Sequence, residues 1–308
     1  MPPRRPTPLG TGEGVLILAG ATASGKTDLA LALAERFNAE IVSADSRQIY
    51  RGMPIGTAAP TDAQRARVPH HLVAFLDPHE RYSAARFVLD ARRAIDDIAA
   101  RGRRAIVAGG TGFYLRALAG DVVLDAAYDP GVRSRLGAEA RTHSPAFLAE
   151  WLAVLAPERA AAIAPNDPYR IARALEIALA GRDAPIAREP LPTLRAAGIP
   201  FVKLVLESEP DVLLERIERR VDAMLAAGLL EEAERVGGDA VAADAVGYRE
   251  ALAFLAGWST AAELRTQLIR STRRYAKRQA TWFRSEPGVL RVTAAAAEAA
   301  ARERLGWA

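Results

Sequence analysis

The stretch GVLILAGATASGKTDLALALAERF, Gly14 to Phe37, decides how the rest of the chain is read. It opens with a short apolar run ending in glycine and closes with Leu29, Leu33 and Phe37 at helical spacing. Between them Gly20, Gly25, Lys26 and Thr27 satisfy G-x-x-x-x-G-K-[ST], and a strand before and a helix after are the context in which that pattern forms a P-loop. Its glycines let several backbone N–H groups converge on one anion at the positive end of a helix dipole. Lys26 adds a full charge, and the Thr27 hydroxyl can ligate Mg²⁺ bridging two phosphate groups. Gly20, Ala21, Thr22, Ala23, Ser24, Gly25, Lys26 and Thr27 are therefore expected to bind a di- or triphosphate, with Mg²⁺ as cofactor and Thr27 as its ligand. The motif leaves open whether a P–O bond is cut, as in kinases and NTPases, or a C–O bond with diphosphate leaving.

Outward from this stretch the alternation continues. AEIVSA precedes a polar DSRQIY, the helical stretch Ala84 to Ala100 follows, and RRAIVAGG precedes a helix-like FYLRALAG. Strands alternating with helices predict an α/β core, a parallel sheet covered on both faces. From about 121 to 200 strand signals vanish, and Ala-rich helical segments are broken by Pro145, Pro157, Pro165, Pro185, Pro190 and Pro192. The sheet resumes at FVKLVLES, followed by the helix-like LLERIERRVDAMLAAG and, near the end, by a short strand at VLRV. The expected organisation is a Pro-, Gly- and Arg-rich tail over 1–12, a first core segment over 13–118, an all-helical insertion over 119–199, and a return to the core with a basic C-terminal helix over 200–308.

Composition narrows the chemistry. Half of the 308 residues are hydrophobic, enough to bury a sizeable core. The chain has no cysteine, which excludes disulfides and thiolate metal sites, and His70, His71, His79 and His143 form no ligand cluster. His70 and His71 read as loop residues. No run suits a bilayer span or a signal peptide, so a cytoplasmic protein with no membrane partner is expected. A net charge of +4 does not by itself prove a nucleic-acid partner.

Asp45, after the second apolar run, should lie at a carboxyl strand end, where it can act as a base or merely cap a helix. Thr111, among Gly109, Gly110 and Gly112, either approaches a ligand or sits in a plain turn. Arg216, Arg219 and Arg220 suit a solvated helix face better than a phosphate-closing lid. A sharper signal is Leu264 to Ser285, with seven basic residues and no acidic one. At helical spacing Arg270, Arg273, Arg274, Lys277, Arg278 and Arg284 fall within an arc of about 140°, with Leu264, Leu268, Ile269, Tyr275, Trp282 and Phe283 opposite. Such a face favours polyanion binding over simple solvation. In DPYRIARALEIALAG, Asp167 and Pro168 read as a cap and first turn that place Arg170 and Arg173 on a shared face.

Taken together, GATASGKT, DSRQIYRGMPIGTA, VPHHL, GGTGFYLRAL, NDPYRIARALEI, VGYRE and RRYAKRQATWF resemble, in order and spacing, the bacterial tRNA dimethylallyltransferases, from about Gly14 to Phe283. The resemblance implies transfer of a dimethylallyl group from dimethylallyl diphosphate to N6 of adenine 37 in the tRNA anticodon stem-loop, and a monomer is expected. It implies catalytic roles for Asp45, Thr111 and Lys26. It further implies tRNA contact by Asp45, Ser46, Arg47, Gln48, Thr111, Arg133, Tyr169, Ile171, Ala172, Gly247, Tyr248 and Arg249, together with Arg170, Arg173, Arg274, Lys277 and Arg278. The chain departs from the family pattern at Ala21, at Ala59 and at Asp244, an acid where a basic residue is common. Alternatives are a P-loop kinase of a small metabolite, an adenine-nucleotide isopentenyltransferase, and an RNA-binding protein with a regulatory nucleotide switch.

Overall fold

A computed structural model describes residues 14–122, 124, 130–180 and 190–308; the expected tail over 1–12 lies outside them. The chain forms two compact units, Met1–Val122 with Leu191–Ala308, and Val123–Pro190.

The first unit is built on six parallel strands in the order β3-β2-β4-β1-β5-β6: β1 Val15–Gly20, β2 Ala39–Ser43, β3 His70–His71, β4 Arg104–Gly109, β5 Phe201–Leu206 and β6 Val289–Val292. β1 lies at the centre, with Leu16 beside Ile106 of β4 and Ile17 beside Lys203 of β5. All six of its residues are buried, as a strand covered on both faces requires. His70 and His71, expected in a loop, instead make the short edge strand β3, because Glu40 of β2 is buried and takes His71 Nε2 at 2.6 Å and Arg101 Nη2 at 2.6 Å.

α1 (Lys26–Arg36) follows β1, and α2 (Asp62–Arg67) lies in the long β2–β3 connection. α3 (Ala84–Ala100) starts at Ser83, whose hydroxyl accepts from Arg86 N, and α4 (Gly112–Ala119) follows β4. The helices α5 (Pro130–Thr142), α6 (Pro145–Leu155), α7 (Pro157–Ala161) and α8 (Pro168–Ala180) make up the described part of the second unit. They close on a core of Leu136, Leu148, Leu152, Ile171, Ala174 and Leu175. Back in the first unit come α9 (Pro210–Ala226), α10 (Leu229–Val236), α11 (Tyr248–Leu255), α12 (Ala261–Arg284) and α13 (Ala294–Leu305). α12 opens with a capping box in which Thr260 and Glu263 satisfy each other's backbone N–H groups.

The return to the first unit falls at Leu191, earlier than 200. Leu194 is fully buried and its N–H donates to Leu118 O at 2.9 Å, so this proline-bounded segment packs on the sheet unit. Beside it, buried Lys203 of β5 is neutralised by Asp121 and Glu286, each at 2.7 Å, and Glu286 also takes Arg116 at 2.8 Å. On the opposite face Phe37, Leu31 and Leu204 pack with the C-terminal Trp307, which is 1% exposed and meets Phe37 edge-on at 5.3 Å. Trp307→Ala should cost about 3–5 kcal/mol. Chemical denaturation that shows less than about 1 kcal/mol would mean that this corner is not part of the cooperative core.

Candidate active site

In a parallel sheet every loop after a strand leaves at the same edge. Here those are the loop after β1 (residues 21–25), the β2 loop from Ala44, the β4 loop Gly110–Thr111 and the turn after β5 at Glu207–Glu209. The P-loop adopts its turn through left-handed Ala23 (φ 62°) and Gly25 (φ 92°). Ser24 Oγ is buried without a hydrogen-bond partner among the described residues, and Ser24 O accepts from Arg216 Nη1 at 2.9 Å and Ser208 Oγ at 3.2 Å. Thr22 N–H is committed elsewhere: it donates to Gln279 Oε1 at 2.8 Å.

A cavity of about 280 Å³ opens at the loops after β1 and β2, is lined among others by Thr22, Lys26, Thr27, Asp45, Arg220, Tyr275 and Arg278, and reaches β4 at Ala108 and Gly109 but not Thr111. Lys26 Nζ donates to Ala21 O at 3.1 Å. Burial lowers its pKa to about 8, the Asp45 carboxylate works against that, and Arg220 adds to it. Arg220 is itself pushed down by burial and held up by Asp45. Burial, then Asp45, raises the Tyr275 phenol, so it stays protonated and able to donate.

Asp45 both caps and faces the cavity. Its Oδ1 accepts from Arg47 N at 2.8 Å and Gln48 N at 3.4 Å, and its Oδ2 accepts no hydrogen bond from the described residues. Thr111 Oγ1 accepts from Ser46 N at 3.0 Å, which leaves its hydroxyl hydrogen free to donate and ties the β4 loop to the residue after Asp45. Gln48 reaches Ala58 O at 3.0 Å. Arg47 forms a bidentate pair with Asp244, at 2.8 and 3.0 Å, so the family-atypical acid holds an expected RNA contact.

Several expectations need correction. Tyr248 is fully buried, and its hydroxyl donates to Glu232 Oε1 at 2.6 Å. The buried Glu232 also accepts from Ile55 N and Gly56 N, so Tyr248 anchors the β2 loop and offers RNA no side chain. Ile171 is 1% exposed in the core of the second unit. The solvated face expected of Arg216, Arg219 and Arg220 holds only in part: Arg216 and Arg219 are exposed, but Arg216 also reaches Ser24 O of the P-loop and half-buried Arg220 lines the cavity. Tyr275, expected to pack away, lines the cavity.

Other expected residues lie on surfaces. Arg270, Arg273, Arg274, Lys277, Arg278 and Arg284 are all exposed on α12, opposite buried Leu264, Leu268, Ala276, Gln279 and Phe283. Gly247 lines the cavity and Arg249 is exposed. Within the second unit Asp167 Oδ1 caps α8 by accepting from Arg170 N at 3.0 Å, Tyr169 is 73% exposed, and Ala172, Arg133 and Arg173 are half-buried. Arg173 pairs with Glu176 at 2.6 Å. Sequence reading missed Gln279 and Glu232; both are polar residues on otherwise packed helix faces, and that was the available signal.

A family model described as IPP transferase matches residues 48–286, and one described as isopentenyl transferase matches residues 13–72. The tRNA dimethylallyltransferase of Anaeromyxobacter dehalogenans (strain 2CP-C) is 47% identical over 280 residues, covering 90% of this chain and 93% of that protein. That of Burkholderia thailandensis (strain E264) is 46% identical over 298 residues, covering 94% and 92%. Among solved structures, the tRNA isopentenylpyrophosphate transferase of Bacillus halodurans superposes with a TM-score of 0.65 at 38% identity, covering 92% of this chain and 90% of that one. A eukaryotic dimethylallyltransferase acting on tRNA superposes with a TM-score of 0.72 at 26% identity, covering 94% and 77%.

The enclosed ammonium of Lys26 generates a prediction. Its folded-state pKa lies below the unfolded value, so the unfolded chain binds the extra proton between about pH 8 and 10.5, and the stability lost to burying the charge is regained as pH rises through that window. Lys26→Met should raise the melting temperature of the empty protein at pH 7 by about 2–4 °C, the effect of ~1 kcal/mol at this size, while weakening diphosphate binding at least tenfold. A variant that melts lower than the parent, or keeps its diphosphate affinity, would contradict this.

Proposed function

The chain belongs to the IPP transferase family, and we propose that it transfers a dimethylallyl group from dimethylallyl diphosphate to N6 of adenine 37, beside the anticodon of its substrate tRNAs. One observation carries the reading: Lys26 and Thr27 of the P-loop share a single cavity with the Asp45 carboxylate and with Tyr275 and Arg278 of the basic helix α12.

The adenine N6 is a weak nucleophile because its lone pair is delocalised into the ring. Asp45 Oδ2 takes the N6 proton as the new C–N bond forms and the C–O bond to diphosphate breaks. The bonding pair leaves with diphosphate, and the charge it gathers is stabilised by Lys26, Arg220 and the P-loop backbone. Thr111 donates its hydroxyl hydrogen to the adenine and holds it beside Asp45. The target base has to leave its stack to reach this depth.

Mg²⁺ fits the residues present. The Thr27 hydroxyl makes no hydrogen bond to a described residue, and no described group of three or more His, Cys, Asp or Glu side chains could hold a metal alone. Thr27 would supply one oxygen and the diphosphate others, the usual way Mg²⁺ is held beside phosphates. Bound there, the ion supplies charge neutralisation for the leaving group.

The exposed α12 face, Arg47, Arg249 and, on the second unit, Tyr169, Arg170, Arg173 and Arg133 are the proposed tRNA contacts. We assign the enzyme to the cytoplasm as a monomer; no described helix is long and apolar enough to cross a membrane.

Purified protein incubated with labelled dimethylallyl diphosphate, Mg²⁺ and bulk bacterial tRNA, without ATP, should yield N6-dimethylallyladenosine on digestion. Unlabelled RNA, or a requirement for ATP, would overturn the assignment. Asp45→Asn should keep its fold and its donor affinity, because asparagine caps as well as aspartate, yet lose about 100-fold or more in single-turnover rate. A parental rate would reduce Asp45 to a cap. Changing Arg274, Lys277 and Arg278 to Ala should weaken tRNA binding and flatten its salt dependence by about 2–3 in log–log slope. The parental slope in that variant would leave the α12 face merely solvated.

A further inference from the structure

Gln279 lies on the inward side of α12, 6% exposed, one helical turn before Trp282. Its two amide ends reach different catalytic loops. Oε1 accepts from the P-loop Thr22 N at 2.8 Å, and Nε2 donates to Gly110 O at 2.9 Å, one residue before Thr111. The fit has no slack: a Cβ on Gly110 would lie 2.2 Å from Gln279 Nε2, and one on Gly112 would lie 2.2 Å from the Trp282 ring. α12 thus presses on both neighbours of Thr111, and Thr111 in turn holds Ser46 N beside Asp45.

We propose that Gln279 is a positioning residue that fixes the donor cradle relative to the acceptor-side Thr111 and Asp45, so that leaving group and base are held in register for the transfer. The proposal rests on the prenyl-transfer reading of the site. The amide meets both demands without titrating, accepting from one backbone N–H through its oxygen and donating to one backbone carbonyl through its nitrogen. Gln279 lines the cavity, but both ends of its amide are committed to backbone groups of the two loops, so its loss acts on the alignment of the reacting atoms more than on either substrate's affinity.

The test compares wild type, Gln279→Leu and Gln279→Glu in single-turnover transfer at saturating donor and tRNA. Titrations with inorganic diphosphate and with tRNA give the two dissociation constants, and thermal unfolding reports the fold. Gln279→Leu should lose about 100-fold in rate with both dissociation constants within about threefold of wild type. Gln279→Glu keeps an acceptor for Thr22 N–H, but it can donate to Gly110 O only when its carboxyl is protonated. Its rate relative to wild type should therefore rise as pH falls, while the corresponding ratio for Gln279→Leu stays flat. Lys26, Asp45, Arg47, His70, Arg220, Asp244, Tyr275 and Arg278, the titratable and charged groups lining the cavity, are common to all three proteins and cancel in these ratios. A parental rate in Gln279→Leu, a loss that tracks diphosphate or tRNA affinity, or a pH-independent ratio for Gln279→Glu would overturn the proposal. If Gln279→Leu does not fold, the pH profile of Gln279→Glu decides alone. A wild type that transfers no prenyl group overturns the functional reading itself, an outcome distinct from transfer that ignores Gln279.

Discussion

Positive charge gathered around a single carboxylate is the constraint on which the site is built. Lys26 and Arg220 line one cavity with Asp45, which offsets both electrostatically without an ion pair to either, and Arg216 reaches Ser24 O of the P-loop. The contrast with Lys203 is instructive. That ammonium is buried, whereas Lys26 is half-buried, and it is met by two carboxylates at 2.7 Å and is finished as a structural element. A buried cation with its counter-ions in place holds a fold together, whereas one without an ion pair leaves its charge facing the cavity.

Holding that arrangement together costs polar connections from distant parts of the chain. Glu232 on α10 fixes the β2 loop through two backbone N–H groups and Tyr248, and Gln279 on α12 fixes the loops on either side of β1 and β4. Both are buried and fully used, so they define a single loop geometry where an apolar contact would leave several. The Arg47–Asp244 pair adds an exposed member at the mouth of the same cavity.

Much of this was legible in the sequence, for physical reasons that differ by element. The P-loop, the core strands and the segregated faces of α12 follow from local patterns that tertiary structure had little freedom to override. Asp45 stayed ambiguous between cap and base because one of its oxygens closes a backbone turn while the other accepts no hydrogen bond from the described residues, which no linear pattern expresses. The inward contacts of Arg216 and Arg220 were missed because charge spacing on a helix does not tell which loop the helix faces. Tyr248 sits in a segment expected to meet RNA, but its role is set by Glu232, sixteen residues away in sequence, and by a loop far upstream. Ile171 shows the same limit on a smaller scale: helical periodicity alone marks it as core, whereas the resemblance swept it in with its exposed neighbours.

The bond between Thr22 and Gln279 spans 257 positions of chain. A ribosome that has delivered β1, α1, β2 and β4 has made strands whose other partners do not yet exist. The open side of β1 waits for β5, which emerges only after the inserted helices. Until then the nascent chain carries an apolar parallel edge of the kind that invites pairing with other chains. The P-loop motif is synthesised long before α12, and its geometry is completed only when α12 follows. Synthesis therefore produces an exposed strand edge early and the finished loop geometry late, and the high sequence separation of these contacts predicts slow folding.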